Sequence, residues 1–344
     1  MKKPVFMKQK NMLRVLYALA PVGLVAIYYF GWRVLALVAT SVIVCFLTEW
    51  IMVNRRNGKV TYACFVTAVL YGLSLPPSVP FWMAGVGAVI AILFAKEAFG
   101  GFGRNVFNPA IVGRAFVYVC FPIELTSRFV PVFRGFPGGF ARWSFLSAPE
   151  AALPQCGIPA VDAISAATPM WARRYFGHVT ETWNLFLGNI GEVFSHNGIT
   201  KVVSAGSAGE VCALVIILAG IYLIYSKTAQ WRLTLSTLIG ATFLSVLLRY
   251  VFGIEAVPSL LFTLFSGALL YAAVFMVTDP VSAPNLPLSQ WIYGIFIGMM
   301  VVFFRYKAIF AGGVAFSILL GNTIAPSLDL WIKRYKTKKK GQKS

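Results

Sequence analysis

The chain alternates long apolar runs with short polar connections, and ten apolar windows predict helices. The first five cover Leu13 to Phe30, Trp32 to Val53, Tyr62 to Leu75, Phe81 to Ala98 and Phe107 to Phe121. The second five cover Gly209 to Tyr225, Trp231 to Val251, Ser259 to Val277, Trp291 to Phe304 and Ile309 to Leu330. The longer runs reach roughly 18 to 22 residues, which matches a helix crossing a hydrocarbon layer of about 30 Å and far exceeds a barrel strand. In lipid every backbone N–H and C=O must be satisfied within its own element, so helices are selected. The expected fold class is all-α: a polytopic membrane protein with about ten transmembrane helices.

Between the two sets lies a polar, glycine-rich stretch, which divides the chain into four parts. Residues 1–121 form a first membrane half, 122–208 an outer-face segment, 209–332 a second membrane half, and 333–344 a basic tail. Five helices per half make the second half enter the membrane from the opposite side, so the halves are expected to have inverted topology. Pro76-Pro77, Gly100-Gly101-Phe102-Gly103, Asn108-Pro109, Asp279-Pro280 and Ala325-Pro326 mark expected helix breaks. Irregular backbone at membrane depth belongs where protein or a cavity surrounds it, so these breaks point to a cofactor or ion site.

Composition agrees with the pattern. With 58% hydrophobic and 12% charged residues and a mean hydropathy of +0.76, the chain lacks the polar surface of a soluble globule. The net charge of +19 would suit a nucleic-acid binder, but the cations sit between the apolar runs: Lys2, Lys3, Lys8 and Lys10; Arg55, Arg56 and Lys59; Lys96 and Arg104; Lys227 and Arg232; Lys333 to Lys343. The positive-inside rule reads these as cytoplasmic anchors, with both termini cytoplasmic and no nucleic-acid partner. Leu13 to Phe30 has no small-residue cleavage site and is expected to stay as an anchor. The five cysteines are scattered without a C-x-x-C pair and read as small buried hydrophobes.

Candidate chemistry is concentrated in the outer segment. Asp162-Ala163-Ile164-Ser165-Ala166-Ala167-Thr168, followed by Pro169, is a run of small residues whose hydroxyls could cap a helix starting near Met170. A threonine hydroxyl is also a phosphoester acceptor, and small neighbours admit a modifying enzyme. The pattern D-x-x-S-x-A-T before proline resembles the flavin-attachment signature shared by the B subunit of the sodium-translocating NADH:quinone reductase and the D subunit of the Rnf ferredoxin:NAD oxidoreductase. Ala163 and Ala166 stand where glycine is common in that signature. Three further stretches resemble the same family in order. They are Gly103-Arg104-Asn105-Val106-Phe107-Asn108-Pro109-Ala110 with Gly113-Arg114-Ala115-Phe116, then Gly206-Ser207-Ala208-Gly209-Glu210, then Thr278-Asp279-Pro280-Val281-Ser282-Ala283. Asn322 through Pro326 is similar to its terminal N-x-x-x-P.

The resemblance implies FMN joined by its phosphate to Thr168, with Asp162, Ser165 and Ala167 in the attachment motif and Arg114 and Asn108 as further cofactor-binding candidates. It also implies a noncovalent riboflavin, transport of Na+ or H+, a flavin transferase for maturation, partner subunits of a six-subunit type of complex, and a place in a bacterial or archaeal cytoplasmic membrane. No catalysis is expected from the isolated chain. The short leader before Leu13 looks like the Rnf protein, while the Gly103 to Phe116 stretch looks more like the quinone reductase. The Rnf type is preferred on length.

Physical chemistry bears on several of these residues independently. Arg114 lies inside the fifth predicted helix, where a charge costs about 2.5 to 3.5 kcal/mol at a lenient estimate, so a pairing anion or a nearby helix break is expected. Glu49, Glu210 and Asp279 sit near helix ends, where capping or solvation competes with ion relay. The two histidines, His178 and His196, both lie in the outer segment, which argues against haem ligation by the membrane helices. Asn108-Pro109-Ala110 also resembles the half-helix motif of water channels, so a channel without cofactor is the rival from another class. Trp32, Trp50, Trp82, Trp231 and Trp291 read as an interfacial belt.

Overall fold

The protein is described here by a computed structural model covering residues 5–147, 168–196, 199–308 and 313–341. A short strand β1 (Phe6–Met7) pairs in parallel with β2 (Val60–Thr61). The first set of helices is α1 (Lys10–Phe30), α2 (Arg33–Arg55), α3 (Tyr62–Leu73), α4 (Phe81–Ile92, prolonged by a π-helical turn at Leu93–Glu97) and α5 (Pro109–Cys120). The intervening segment holds short helices α6 (Pro122–Thr126), α7 (Pro169–Phe176) and α8 (Thr182–Leu187), and a hairpin of β3 (Val193–His196) and β4 (Ile199–Val202).

The second set is α9 (Ala213–Tyr225), α10 (Trp231–Val246, with a π turn at Leu247–Val251), α11 (Leu260–Phe265), α12 (Leu269–Tyr271, with a π turn at Ala272–Met276), α13 (Pro287–Lys307) and α14 (Val314–Gly341). The chain is therefore an all-α polytopic membrane protein. Among the described residues, five helical stretches are long and apolar enough to cross a bilayer: Lys10–Phe30, Arg33–Arg55, Trp231–Val251, Pro287–Lys307 and Val314–Lys338. Helices α3 and α5, of 12 residues each, reach only about 18 Å. Helix α3 ends, and α5 begins, inside the protein, at Leu73 and at Asn108-Pro109.

Most expected breaks are present. Helix α3 stops before Pro76-Pro77, Asn108 caps α5 ahead of Pro109, and Gly100, Gly101 and Gly103 turn the chain at positive φ. Three expectations need correction. The window Ser259 to Val277 is one run of apolar residues but two helices, split at Ser266-Gly267 with Gly267 at φ +63°. Ala325-Pro326 breaks nothing: α14 continues through Pro326 and carries the basic tail in helical form to Gly341. Neighbouring helices can absorb the proline's missing N–H at membrane depth. Lys96 is not a solvated anchor, since the π turn after α4 buries it to 2% exposure.

Similar neighbour relations recur in the two sets. Helix α2 packs on α3 and α4, and α4 on α5; correspondingly, α10 packs on α11 and α13, and α13 on α14. The α10–α13 seam is built on glycine. A Cβ at Gly240 would lie 2.3 Å from Ile295 O and one at Gly298 would lie 2.1 Å from Thr237 O, so only bare backbone lets the helices approach this closely. Small residues serve this purpose where lipid removes the hydrophobic incentive for helices to associate. The two sets are joined by Tyr271 Oη donating to Leu70 O (3.2 Å), Asn108 Nδ2 donating to Met276 O (3.1 Å) and Arg14 Nη1 donating to Ser226 O (2.8 Å).

Candidate functional site

The intervening segment covers the end of the bundle where α1 finishes. Phe133 N–H donates to Tyr29 O (2.8 Å) and Arg33 N–H to Trp143 O (2.9 Å). Beneath it opens a cleft of about 1220 Å³, part of it continuous with the exterior. Its walls bring together Arg114 from α5, Thr168 and Trp171 from the start of α7, Ser207 and Glu210, and Arg305 from α13.

Thr168 is the N-cap of α7, held extended at φ −64°, ψ 161° by the following Pro169. Its hydroxyl accepts the Trp171 N–H at 3.4 Å, a long bond for a cap. Both sequence readings of this threonine are thus compatible: it caps weakly and its side chain lines a cavity. Gly206 closes in beside it, since a Cβ there would come 3.9 Å from Thr168 Cγ2.

Ser207 and Glu210 form a capping box. Glu210 Oε1 accepts the Ser207 N–H at 2.8 Å, and Ser207 Oγ also accepts from Arg114 Nη2 at 3.1 Å. The capping role foreseen for Glu210 is therefore real but engages one oxygen; Oε2 is buried with no partner. Arg305 is 2% exposed and donates to Thr263 O (2.7 Å) and Ser266 O (2.9 Å), the carbonyls at the break between α11 and α12. Among the described residues, neither Arg114 nor Arg305 has a carboxylate within the 4.0 Å ion-pair range. Trp171 and Tyr175, with ring centroids 4.1 Å apart, present an aromatic surface to the cleft.

The arrangement suits an anionic ligand that also donates a hydrogen bond. Among the described residues two guanidinium groups have no carboxylate within ion-pair range and one carboxylate oxygen has no donor, and unpaired buried charge is costly. Among the described residues no cluster of His, Cys, Asp and Glu could hold a metal. Asp162, Ser165 and Ala167 lie outside the described residues. Arg305 escapes a sequence reading because, beside Lys307 at the end of an apolar run, it looks like another anchor.

Asn108 belongs elsewhere. Its side chain caps α5 by accepting the Ala110 N–H (3.0 Å), while its own N–H donates to Asn322 Oδ1 (3.3 Å). It lines a second, narrower cleft near the start of α1, together with Asn105, Lys96, Thr278 and Asp279. There Lys96 Nζ donates to Glu49 Oε2 (2.5 Å) and Thr61 Oγ1 (2.7 Å), and Glu49 Oε1 accepts the Thr61 N–H (2.9 Å). Glu49 is thus a buried ion-pair partner rather than a solvated group. Asp279, part-buried, accepts from Ser282 Oγ at 2.7 Å. Burial pushes its carboxyl above the ordinary carboxylate value, and the hydrogen bonds from Ser282 and Val281 pull the other way.

Comparison with known proteins bears on the whole chain. A family model described as the NQR2, RnfD, RnfE family matches residues 5–338. The D subunit of the ion-translocating oxidoreductase complex of Alcanivorax borkumensis is 33% identical over 326 residues, covering 93% of this chain and 90% of that protein. The D subunit of the proton-translocating ferredoxin:NAD(+) oxidoreductase complex of Clostridium ljungdahlii is 30% identical, covering 93% and 88%. The B subunit of the Na(+)-translocating NADH-quinone reductase of Pseudoalteromonas atlantica is 32% identical, covering 92% and 71%.

Proposed function

This chain belongs to the NQR2, RnfD, RnfE family, and on that premise we propose that it is a membrane subunit of an ion-translocating oxidoreductase complex of the Rnf type, with FMN esterified through its phosphate to Thr168 Oγ1. The observation that supports the reading is the convergence on one cleft of the Thr168 hydroxyl, two guanidinium groups without an ion-pair partner among the described residues, and an unpartnered Glu210 oxygen.

Bound flavin supplies reversible one- and two-electron transfer. The chain's own residues bind and shield it. Arg114, already oriented by Ser207, is the cation for the phosphate, and Glu210 Oε2 is the acceptor for a ligand N–H or O–H. Trp171 and Tyr175 limit access of water. A noncovalent riboflavin is the second expected cofactor. Na+ or H+ is the transported ion, a flavin transferase matures the chain, the other subunits of the complex supply and remove electrons, and the site is a prokaryotic cytoplasmic membrane. The second reading is the B subunit of the Na+-translocating quinone reductase, favoured by the Gly103 to Phe116 stretch. Copurifying partners separate the two, with ferredoxin-side subunits expected for the first and quinone-side subunits for the second.

The test is coexpression with a flavin transferase, followed by in-gel flavin fluorescence under denaturing conditions and intact-mass measurement. A fluorescent band in the wild type that disappears in Thr168→Val is the expected result. A wild-type chain without an FMN-sized adduct would overturn the assignment and favour the cofactor-free channel.

A further inference from the structure

Arg305 does two things at once. Its terminal nitrogens hold the carbonyls of Thr263 and Ser266 where the eighth membrane segment breaks, and the same guanidinium lines the Thr168 cleft. The two hydrogen bonds engage its terminal nitrogens, and among the described residues no carboxylate lies within ion-pair range of its charge. A buried, unpaired cation is costly at membrane depth and is retained where function needs it. The cleft side of the guanidinium is kept bare by Gly267, where a Cβ would lie 3.4 Å from Nη2.

We propose that Arg305 sets the reduction potential of the flavin in this cleft, as a fixed positive charge that favours the reduced state. The inference rests on the assignment of FMN to Thr168. Uptake of two electrons and one proton leaves the isoalloxazine with one negative charge more than before, the electrons coming from a redox partner in the complex. A buried cation already in place stabilises that added charge without reorganising. Arg114 donates to Ser207 Oγ, whereas Arg305 is hydrogen-bonded only to backbone carbonyls and feels Glu210 from beyond ion-pair range. Glu210 works in the opposite sense, because its unpartnered oxygen brings negative charge to the same cleft. Arg305 is therefore a positioning and tuning residue.

The test is a dithionite titration of the assembled complex, with the Thr168→Val complex subtracted so that only this flavin is read. Arg305→Gln is expected to weaken the reduction equilibrium at least tenfold, a downward shift of about 30 mV for a two-electron couple, and Arg305→Lys is expected to restore it. An unmoved potential in Arg305→Gln, or an equal fall in Arg305→Lys, would overturn the inference. If Arg305→Gln does not assemble, Glu210→Gln decides. It keeps an oxygen for the Ser207 N–H and removes a negative charge, so the potential must rise; no rise overturns the inference. Failure of the underlying reading is distinguishable, because the wild-type chain would then carry no FMN adduct at all.

Discussion

Replacing Gly298 by alanine places a methyl group where the α10–α13 seam has no room. The new Cβ would lie 2.1 Å from Thr237 O and 2.6 Å from Ala241 N, both backbone atoms, and ordinary contact begins at 3.4 Å. No rotamer change can relieve this, so the helices must separate by roughly 1.3 Å, the difference between those distances. Forced expansion of a packed interface costs about 1–3 kcal/mol, and rigid backbone obstacles put this case at the upper end. Part of that is offset by alanine's helix preference of about 1 kcal/mol over glycine.

The consequence reaches the site, because Arg305 lies two helical turns further along α13, about 10 Å away. Purified wild type and variant in detergent would be compared by thermal unfolding, monitored by tryptophan fluorescence. A midpoint about 4 °C lower is expected, taking about 2–4 °C per kcal/mol. Gly23→Ala is the control, since nothing lies within 4 Å of its Cβ position, and it should melt at or slightly above wild type. Equal midpoints for the two variants would refute the packing argument.

Two further outcomes follow from the geometry. Gly206→Ala would bring a Cβ within 2.1 Å of Glu210 Oε1, expel that carboxylate from its cap at a cost of about 1 kcal/mol and disturb the wall beside Thr168. Its flavin fluorescence per mole of chain should fall, and an undiminished yield would show that the cap is dispensable for attachment. Lys96→Met leaves the buried Glu49 carboxylate without its cation and should destabilise by about 3–5 kcal/mol. Much of the loss should return in the Glu49→Gln, Lys96→Met double variant, and a single variant that melts like wild type would show that the ion pair stabilises nothing.

The ten apolar windows were legible because bilayer thickness constrains length and composition together. What stayed hidden depends on partners distant in the chain. The break at Ser266-Gly267 lies inside an apolar run, and its freed carbonyls are bound by Arg305, 39 positions from Ser266. Pro326 looked like a stop, yet α14 passes through it. In the site, Thr168 and Arg114 came from local pattern and the cost of an intramembrane charge, and the fold brings both to one cleft. Asn108 came from the same family likeness but lies in the other cavity, as its capping bonds require. Lys96 and Glu49 each looked like ordinary surface charges, because only the folded chain puts them face to face.

The π turns at Leu93–Glu97, Leu247–Val251 and Ala272–Met276 also alter how later residues are aimed. Each holds one residue more than an α-turn would, which swings everything after it around the axis by about 100°. Lys96 and Glu97 are buried in this turn, at the close of a helix packed on α2 and α5. A single-residue deletion there would act as a change of phase, turning an interior pair of charges toward hydrocarbon while leaving the hydropathy profile almost untouched.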